Sequence, residues 1–271
     1  MSIDIDGYFQ RIGYTGPRDA TLLTLRELHR MHPQAIAFEN LDPLLGRPVR
    51  LDPASLVQKM LQGGRGGYCF EQNLLFAHVL RGLGFKVQEA TARVRWSVPP
   101  GVKTPREHAL LIVEAEGDTY LVDVGFGGNV LTAPLLLHSR AEQSTPHGPF
   151  RLVEEEHRLV IEVKLGGAWA SLYATDLADT VPADLEMGNW FTSAHPNSIF
   201  VNGLMAARCE PDRRYALRNN DLSVHKLNGA SEKRTLNARE LRDALGDLFK
   251  IRLDGLDGLD AALARLADRP A

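Results

Sequence analysis

Between Asp19 and Met31 apolar residues recur every three positions, at Leu22, Leu25, Leu28 and Met31, which is the period of one buried helix face. A second helix is predicted from Asp52-Pro53, a good N-cap followed by proline at the first helical position, and Gly63-Gly64 stops it after Leu61. A third runs from about Cys69 to Leu83, with Leu74, Leu75 and Val79 facing inward and Gly84 placed for a left-handed cap. At Phe85 the pattern changes. Ala90, Ala92, Val94 and Trp96 alternate with Thr91, Arg93 and Arg95, as in a half-buried strand. A loop holding Pro99, Pro100, Gly101 and Pro105 follows, then strands at His108 to Glu114 and Thr119 to Val124 across a Glu-Gly-Asp turn. Arg158 to Leu165 and Ala168 to Tyr173 form a further pair across Gly166-Gly167, a strong hairpin signal.

The tail is mixed. Ser198 to Arg208 and Arg214 to Val224 read as strands, with a turn at Asn219-Asn220. Asn237 with Glu240 three residues on opens a helix carrying Leu241, Leu245 and Leu248, and a last amphipathic helix covers Leu259 to Leu266. Helices, then strands, then a mixed segment argue an α+β fold in segregated pieces, divided at 1–85, 86–188 and 189–271.

Charge and composition narrow the function. Lys and Arg number 31 against 34 Asp and Glu, so no electrostatic footprint for nucleic acid or an anionic membrane is expected. Apolar runs such as Leu131 to Leu137 fall far short of the roughly 20 residues of a membrane span. The N-terminus carries acidic residues and no apolar h-region, so a secretory signal is not expected. Two cysteines, Cys69 and Cys209, leave no disulfide framework and no multi-cysteine metal site. The expectation is a cytoplasmic protein with no bound metal.

The chemistry concentrates in Arg65-Gly66-Gly67-Tyr68-Cys69-Phe70-Glu71-Gln72-Asn73, where a glycine turn delivers a cysteine to the first turn of an apolar helix. Backbone N–H groups and the helix dipole favour the thiolate there, and the thiolate is the nucleophilic form. A lone cysteine is more often a small buried hydrophobe; the Gly-Gly approach and the polar Glu71 and Asn73 beside it favour the nucleophile. Arg65 and Glu71 read as structural support, whether as an ion pair or a solvated couple. Cys209 reads as buried and inert. A cysteine nucleophile needs a base and an orienting group behind it. His108 opens an apolar strand, and Asp123 lies on the next one among apolar neighbours, where an unpaired carboxylate would be costly. Antiparallel pairing across Gly117 can bring the two together. On spacing alone the pair reads equally well as a satisfied strand-end histidine and a capping aspartate.

Taken together, these residues resemble the arylamine N-acetyltransferase family. The Cys69 motif matches the family's nucleophile signature, and Phe38-Glu39-Asn40-Leu41-Asp42 matches another of its segments. His108, with Asp123 in an Asp-Val-Gly-Phe-Gly setting, matches the other two triad members. Asn189-Trp190-Phe191-Thr192-Ser193 and His195-Pro196-Asn197-Ser198-Ile199-Phe200 are similar to the start of the family's third region. The resemblance covers about residues 1–210. It implies an N-terminal helical bundle, a central antiparallel β-barrel and a C-terminal α/β lid around a Cys-His-Asp core like that of cysteine proteases. It also implies a catalytic Cys69, His108 and Asp123 that pass acetyl from acetyl-CoA, a co-substrate rather than a bound cofactor, to an aromatic amine, hydroxylamine or hydrazine. Phe126, Gly127 and Gly128 are then a loop lining the site rather than a plain turn, with Phe126 against the acceptor ring. Phe38 and Phe200 become pocket walls, a role that simple core packing rivals. An amide synthase, or a cysteine hydrolase or transglutaminase-like enzyme, is the alternative on the same triad.

Overall fold

Helices come first along the chain: α1 (Ile5–Ile12), α2 (Leu22–Ala35), the short strand β1 (Phe38–Glu39), α3 (Leu41–Leu44), α4 (Pro53–Leu56) widening into a π-turn over Val57–Gln62, and α5 (Cys69–Gly82). The computed structural model describes residues 3–99, 101–227 and 229–268; Pro100 of the expected loop and the chain ends lie outside the described residues. The Asp52 side chain accepts from Ser55 N at 3.0 Å, as the N-cap expectation requires. Helix α1 was not expected from periodicity. It is one short amphipathic stretch, capped by Asp4 and ended by Gly13 at φ +73°, that buries Tyr8, Phe9 and Ile12.

An antiparallel sheet follows, made of β2 (Lys86–Val94), β3 (Arg106–Ala115), β4 (Asp118–Val122), β5 (Leu135–Leu136), β6 (Gln143–Thr145), β7 (Gly148–Glu155), β8 (Arg158–Leu165) and β9 (Ala168–Thr175). Its order is β5-β4-β3-β2-β9-β8-β7-β6, so β5 and β6 are its two edges. The edges are clasped by one side chain. Leu136 N donates to Gln143 Oε1 at 2.8 Å, and Gln143 Nε2 donates to Leu136 O at 3.2 Å. A glutamine amide carries the same donor and acceptor as a peptide group, and here it finishes a nearly closed barrel.

The remaining elements are α6 (Pro182–Ala194), α7 (Ile199–Asn202), β10 (Met205–Glu210), β11 (Arg213–Arg218), β12 (Asp221–Lys226), β13 (Ser231–Thr235), α8 (Ala238–Asp247) and α9 (Leu259–Ala267). Strands β10 to β13 form a second antiparallel sheet whose edge partner is β1, from the N-terminal segment. The continuous strand expected over Ser198 to Arg208 is corrected. Ser198 Oγ accepts from Phe200 N at 3.1 Å and starts α7, so the strand begins only at Met205. Helix α6 crosses the division expected at residue 188 and packs on β3, where Gly188 fits against the Phe70 ring and the Arg106 carbonyl.

Candidate active site

Cys69 is the first residue of α5, and the turn before it lies backbone to backbone on residues 37–39. Gly67 N donates to Ala37 O at 3.2 Å, and Glu39 N donates to Gly67 O at 3.1 Å. A Cβ on Gly66 would stand 2.0 Å from the Ala37 oxygen, so only glycine permits the approach. Gln72 Nε2 donates to both Ala37 O (2.7 Å) and Gly67 O (3.0 Å). The expected Arg65–Glu71 couple is not formed. Arg65 pairs with Glu39 at 2.8 Å and Asp42 at 3.3 Å, whereas Glu71 pairs with Lys59 at 2.6 Å, and Lys59 also meets Asp42 at 2.6 Å. Asp42 thus joins two cations into one half-buried network beneath the turn. Glu71 Oε2 accepts from Tyr68 N at 3.1 Å, fixing the entry to the helix. Burial pushes the Glu71 carboxyl up to about 7, against the pull of Lys59. Burial acts the same way on Glu39, but Arg65 and Lys59 outweigh it and hold that carboxyl at about 2.

His108 and Asp123 meet through strand register. Leu111 pairs with Val122 across β3 and β4, which sets Asp123, one residue past β4, diagonal to His108 on the same face. His108 Nε2 lies 2.8 Å from Asp123 Oδ2, and both side chains are buried. The carboxylate is further held by Asn73 Nδ2 at 3.0 Å and Gly125 N at 2.8 Å, both on Oδ1. The β2–β3 ladder pairs Ala92 with His108 and Arg93 with Arg106, so Glu107 bulges out unpaired. The freed Glu107 carbonyl faces the nucleophile: Cys69 Sγ lies 3.6 Å from it. Cys69 stands close enough to act on the His108 ring, whose Nε2 is engaged by Asp123 and whose free nitrogen is therefore Nδ1. Burial opposes a charged imidazole here, but Asp123 and then Cys69 outweigh it and raise His108 to about 10. Burial likewise disfavours the Asp123 carboxylate, yet His108, Asn73 and Gly125 N hold it below the usual range.

Asn73, marked in the sequence only as a polar neighbour of Cys69, makes bonds that the sequence did not signal. One turn along α5 from Cys69, it donates to Ala109 O (2.7 Å) and Asp123, and accepts from Val124 N (3.0 Å). It pins the nucleophile helix to the two strands carrying His108 and Asp123. A Cβ on Gly125 would sit 2.7 Å from Cys69 Cα, so the chain after Asp123 passes directly over the nucleophile's backbone. Tyr173 was also missed; its ring lies 4.6 Å from the His108 ring, with the hydroxyl buried.

The remaining expected residues form one contiguous wall. Phe126 meets His108 edge-on, with ring centroids 5.1 Å apart at 89°. Gly127, at φ +73°, lies under the Phe38 ring, and Phe38 neighbours Phe200 at 6.1 Å. Phe200 in turn meets Tyr68, the residue before Cys69, at 5.6 Å. Gly128 abuts Ala216 of β11. Phe38, Phe126 and Phe200 are each partly exposed and packed against the buried core. Cys209 is buried, and burial pushes its thiol up. Among the described residues no group of three His, Cys, Asp or Glu side chains is arranged to hold a metal ion, and no helix is long and apolar enough to cross a membrane.

Known proteins share this fold. A family model described as N-acetyltransferase matches residues 21–257. The arylamine N-acetyltransferase of Mycobacterium tuberculosis is 41% identical over 257 residues, 93% of this chain and 91% of the relative. That of Escherichia coli is 42% identical over 237 residues, 87% and 84% of the two chains. Among solved structures, the M. smegmatis arylamine N-acetyltransferase superposes with a TM-score of 0.95 at 38% identity, covering 99% of this chain and 100% of that one. The Mycobacterium marinum enzyme in complex with CoA has a TM-score of 0.93 at 40% identity, covering 98% of each chain. The chain belongs to the arylamine N-acetyltransferase family.

Proposed function

We propose that this protein works in the cytoplasm, transferring the acetyl group of acetyl-CoA to arylamines, arylhydroxylamines and arylhydrazines in two steps through acetyl-Cys69. In the first, the Cys69 thiolate attacks the thioester carbonyl, the C–S bond to CoA breaks, and the departing thiolate takes the proton held by His108. The product is again a thioester, still activated toward an amine. In the second step the neutral nitrogen of the acceptor attacks acetyl-Cys69, His108 removes the nitrogen's proton, and the Cys69 sulfur leaves. Asp123 keeps Nε2 protonated and stabilises the imidazolium formed in that step. Backbone N–H groups at the start of α5, that of Cys69 included, stabilise the tetrahedral oxyanion.

One observation carries the reading: a cysteine at a helix N-terminus beside a buried histidine that is itself held by a buried aspartate. The three phenyl rings of Phe38, Phe126 and Phe200 suit a flat aromatic acceptor. That a relative was solved with CoA bound supports acetyl-CoA as the donor.

Acetyl-CoA given without acceptor should leave one acetyl group on Cys69, read by intact-mass and peptide mass spectrometry. Initial rates with an aniline or an aryl hydrazide should follow ping-pong kinetics, with parallel double-reciprocal lines. An unmodified Cys69, or acetyl found on Cys209, would overturn the proposal, and release of acetate in place of arylamide would point to a hydrolase.

A further inference from the structure

Arg214 of β11 is 7% exposed and, among the described residues, has no carboxylate partner. Its Nη1 donates to Gly128 O at 3.1 Å and Val130 O at 3.0 Å, and its Nη2 donates to His147 O at 3.0 Å. A buried cation without a counter-charge is costly, and an apolar side chain of similar volume would glue two surfaces together as well or better. What an apolar residue cannot do is grip several carbonyls at fixed angles, which is the property of the planar guanidinium fork.

The segment gripped is the one after Phe126. Val130 N donates to Gly127 O at 3.1 Å and closes a tight turn, and Arg214 takes the carbonyls of Gly128 and Val130. The turn's near end holds Phe126 edge-on to His108 and lays Gly127 under Phe38. Tyr173, from a barrel strand, packs on both the imidazole (4.6 Å) and the Phe126 ring (5.1 Å), so one side of that ring rests on the sheet. The backbone that follows Phe126 is a loop, and its side-chain anchor comes from the lid.

We propose that Arg214 is a positioning residue for the second half-reaction: by holding the Gly127–Val130 turn from the lid, it fixes Phe126 as the wall against which an aromatic acceptor lies. This rests on the proposed function. Arg214 touches neither the reacting atoms nor the phenyl wall itself, so its removal should spare the chemistry of Cys69 and disturb the placing of a ring.

The experiment separates the half-reactions by single turnover in wild type, Arg214→Met and Arg214→Lys. Acetylation of Cys69 by acetyl-CoA should proceed at the wild-type rate in both variants. Transfer from acetyl-Cys69 to an aniline should slow about ten-fold or more, because small misplacements of a bound ring are amplified in rate. Transfer to unsubstituted hydrazine, which has no ring to place, should stay at the wild-type rate. Arg214→Lys keeps the charge but loses the fork, and it should resemble Arg214→Met. Equal losses with aniline and hydrazine, unchanged rates with both, or failure of both variants to fold would each overturn the assignment and leave Arg214 a stabilising cation. Wild-type protein that acetylates neither acceptor would overturn the proposed function instead, so the two failures are distinguishable.

Discussion

Once Cys69 carries an acetyl group, the charge that faces His108 from the sulfur side is gone. The influence of Cys69, one of those that raise the imidazole to about 10, then vanishes, while Asp123 and the burial remain. His108 should therefore titrate lower in the acetyl-enzyme than in the free enzyme, which makes it an acid when CoA must leave and a base when the amine attacks. Imidazole titration by NMR on free protein and on protein acetylated at Cys69 checks this; equal values in the two states would mean the sulfur and the ring are uncoupled. The partner carboxylate has its own test. Asp123→Asn cannot hold the ring in the same tautomer, and by analogy with other triads the loss of turnover should be on the order of 10³–10⁴. Soluble yield must be compared, because Asn73 and Gly125 N also lean on that carboxylate. Near-wild-type turnover in folded Asp123→Asn would reduce Asp123 to a cap.

Helix α5 and the pair β3–β4 carry the reacting groups, and Asn73 joins them. Asn73→Ala strips partners from Ala109 O, Val124 N and Asp123 at once. Each buried polar group left unpaired costs about 1–3 kcal/mol, so the variant should lose at least about 2 kcal/mol of unfolding free energy by urea titration. A loss no larger than that of an ordinary surface alanine would mean water replaces the amide without penalty. Asn73 also shows where sequence reading reaches and where it stops. The helix around it was legible because glycine turns bound an apolar run, and a turn set His108 and Asp123 on neighbouring apolar strands, although the family resemblance and not their spacing named them as partners. Its bonds were not, since they run to backbone groups 36 and 51 residues away that leave no mark on composition. Arg214 escaped for the same reason, its three partners all being carbonyls. The edge strands β5 and β6 are too short to show a period of two, and their clasp is a single glutamine. Ser198, by contrast, was a readable N-cap that the strand assignment passed over.

Across the whole molecule several of the polar bonds that tie the parts together lie near the site. Asn40, beside β1, donates to Phe200 O and Gly203 O and accepts from Met205 N, each at 2.7 Å, so the N-terminal segment holds both α7 and β10. His29 of α2 reaches the Asp123 carbonyl at 3.0 Å. A change of charge at the buried centre is therefore felt by the fold as a whole and should appear in its pH-dependent stability.

The direction follows from the buried groups that titrate differently in the fold. His108 is raised to about 10 from an unfolded value of about 6.5, so the stability it lends is complete below roughly pH 6.5 and lost as pH climbs toward 10. Glu71, pushed up to about 7, acts in the same sense: its contribution is present below about pH 4.5 and is lost as pH rises through 7. Asp123 acts oppositely. Held below the usual range, it lends stability above about pH 4 that disappears as pH falls further. His29 and His32, which burial lowers to about 4 and about 3, act in the same sense as Asp123, because below about pH 6.5 the unfolded chain takes up protons that these two rings refuse in the fold. Stability should consequently peak near neutrality, fall toward pH 4 and decline to pH 10. Urea midpoints measured across pH 4 to 10 check the profile. The His108→Gln variant tests its cause, because without the imidazole the slope between pH 7 and 10 should flatten, and Asp123, deprived of its main partner, should contribute less to the acid limb. A wild-type profile level from pH 6 to 10, or an unaltered alkaline slope in His108→Gln, would mean that His108 does not hold its proton through binding to Asp123 in the folded protein.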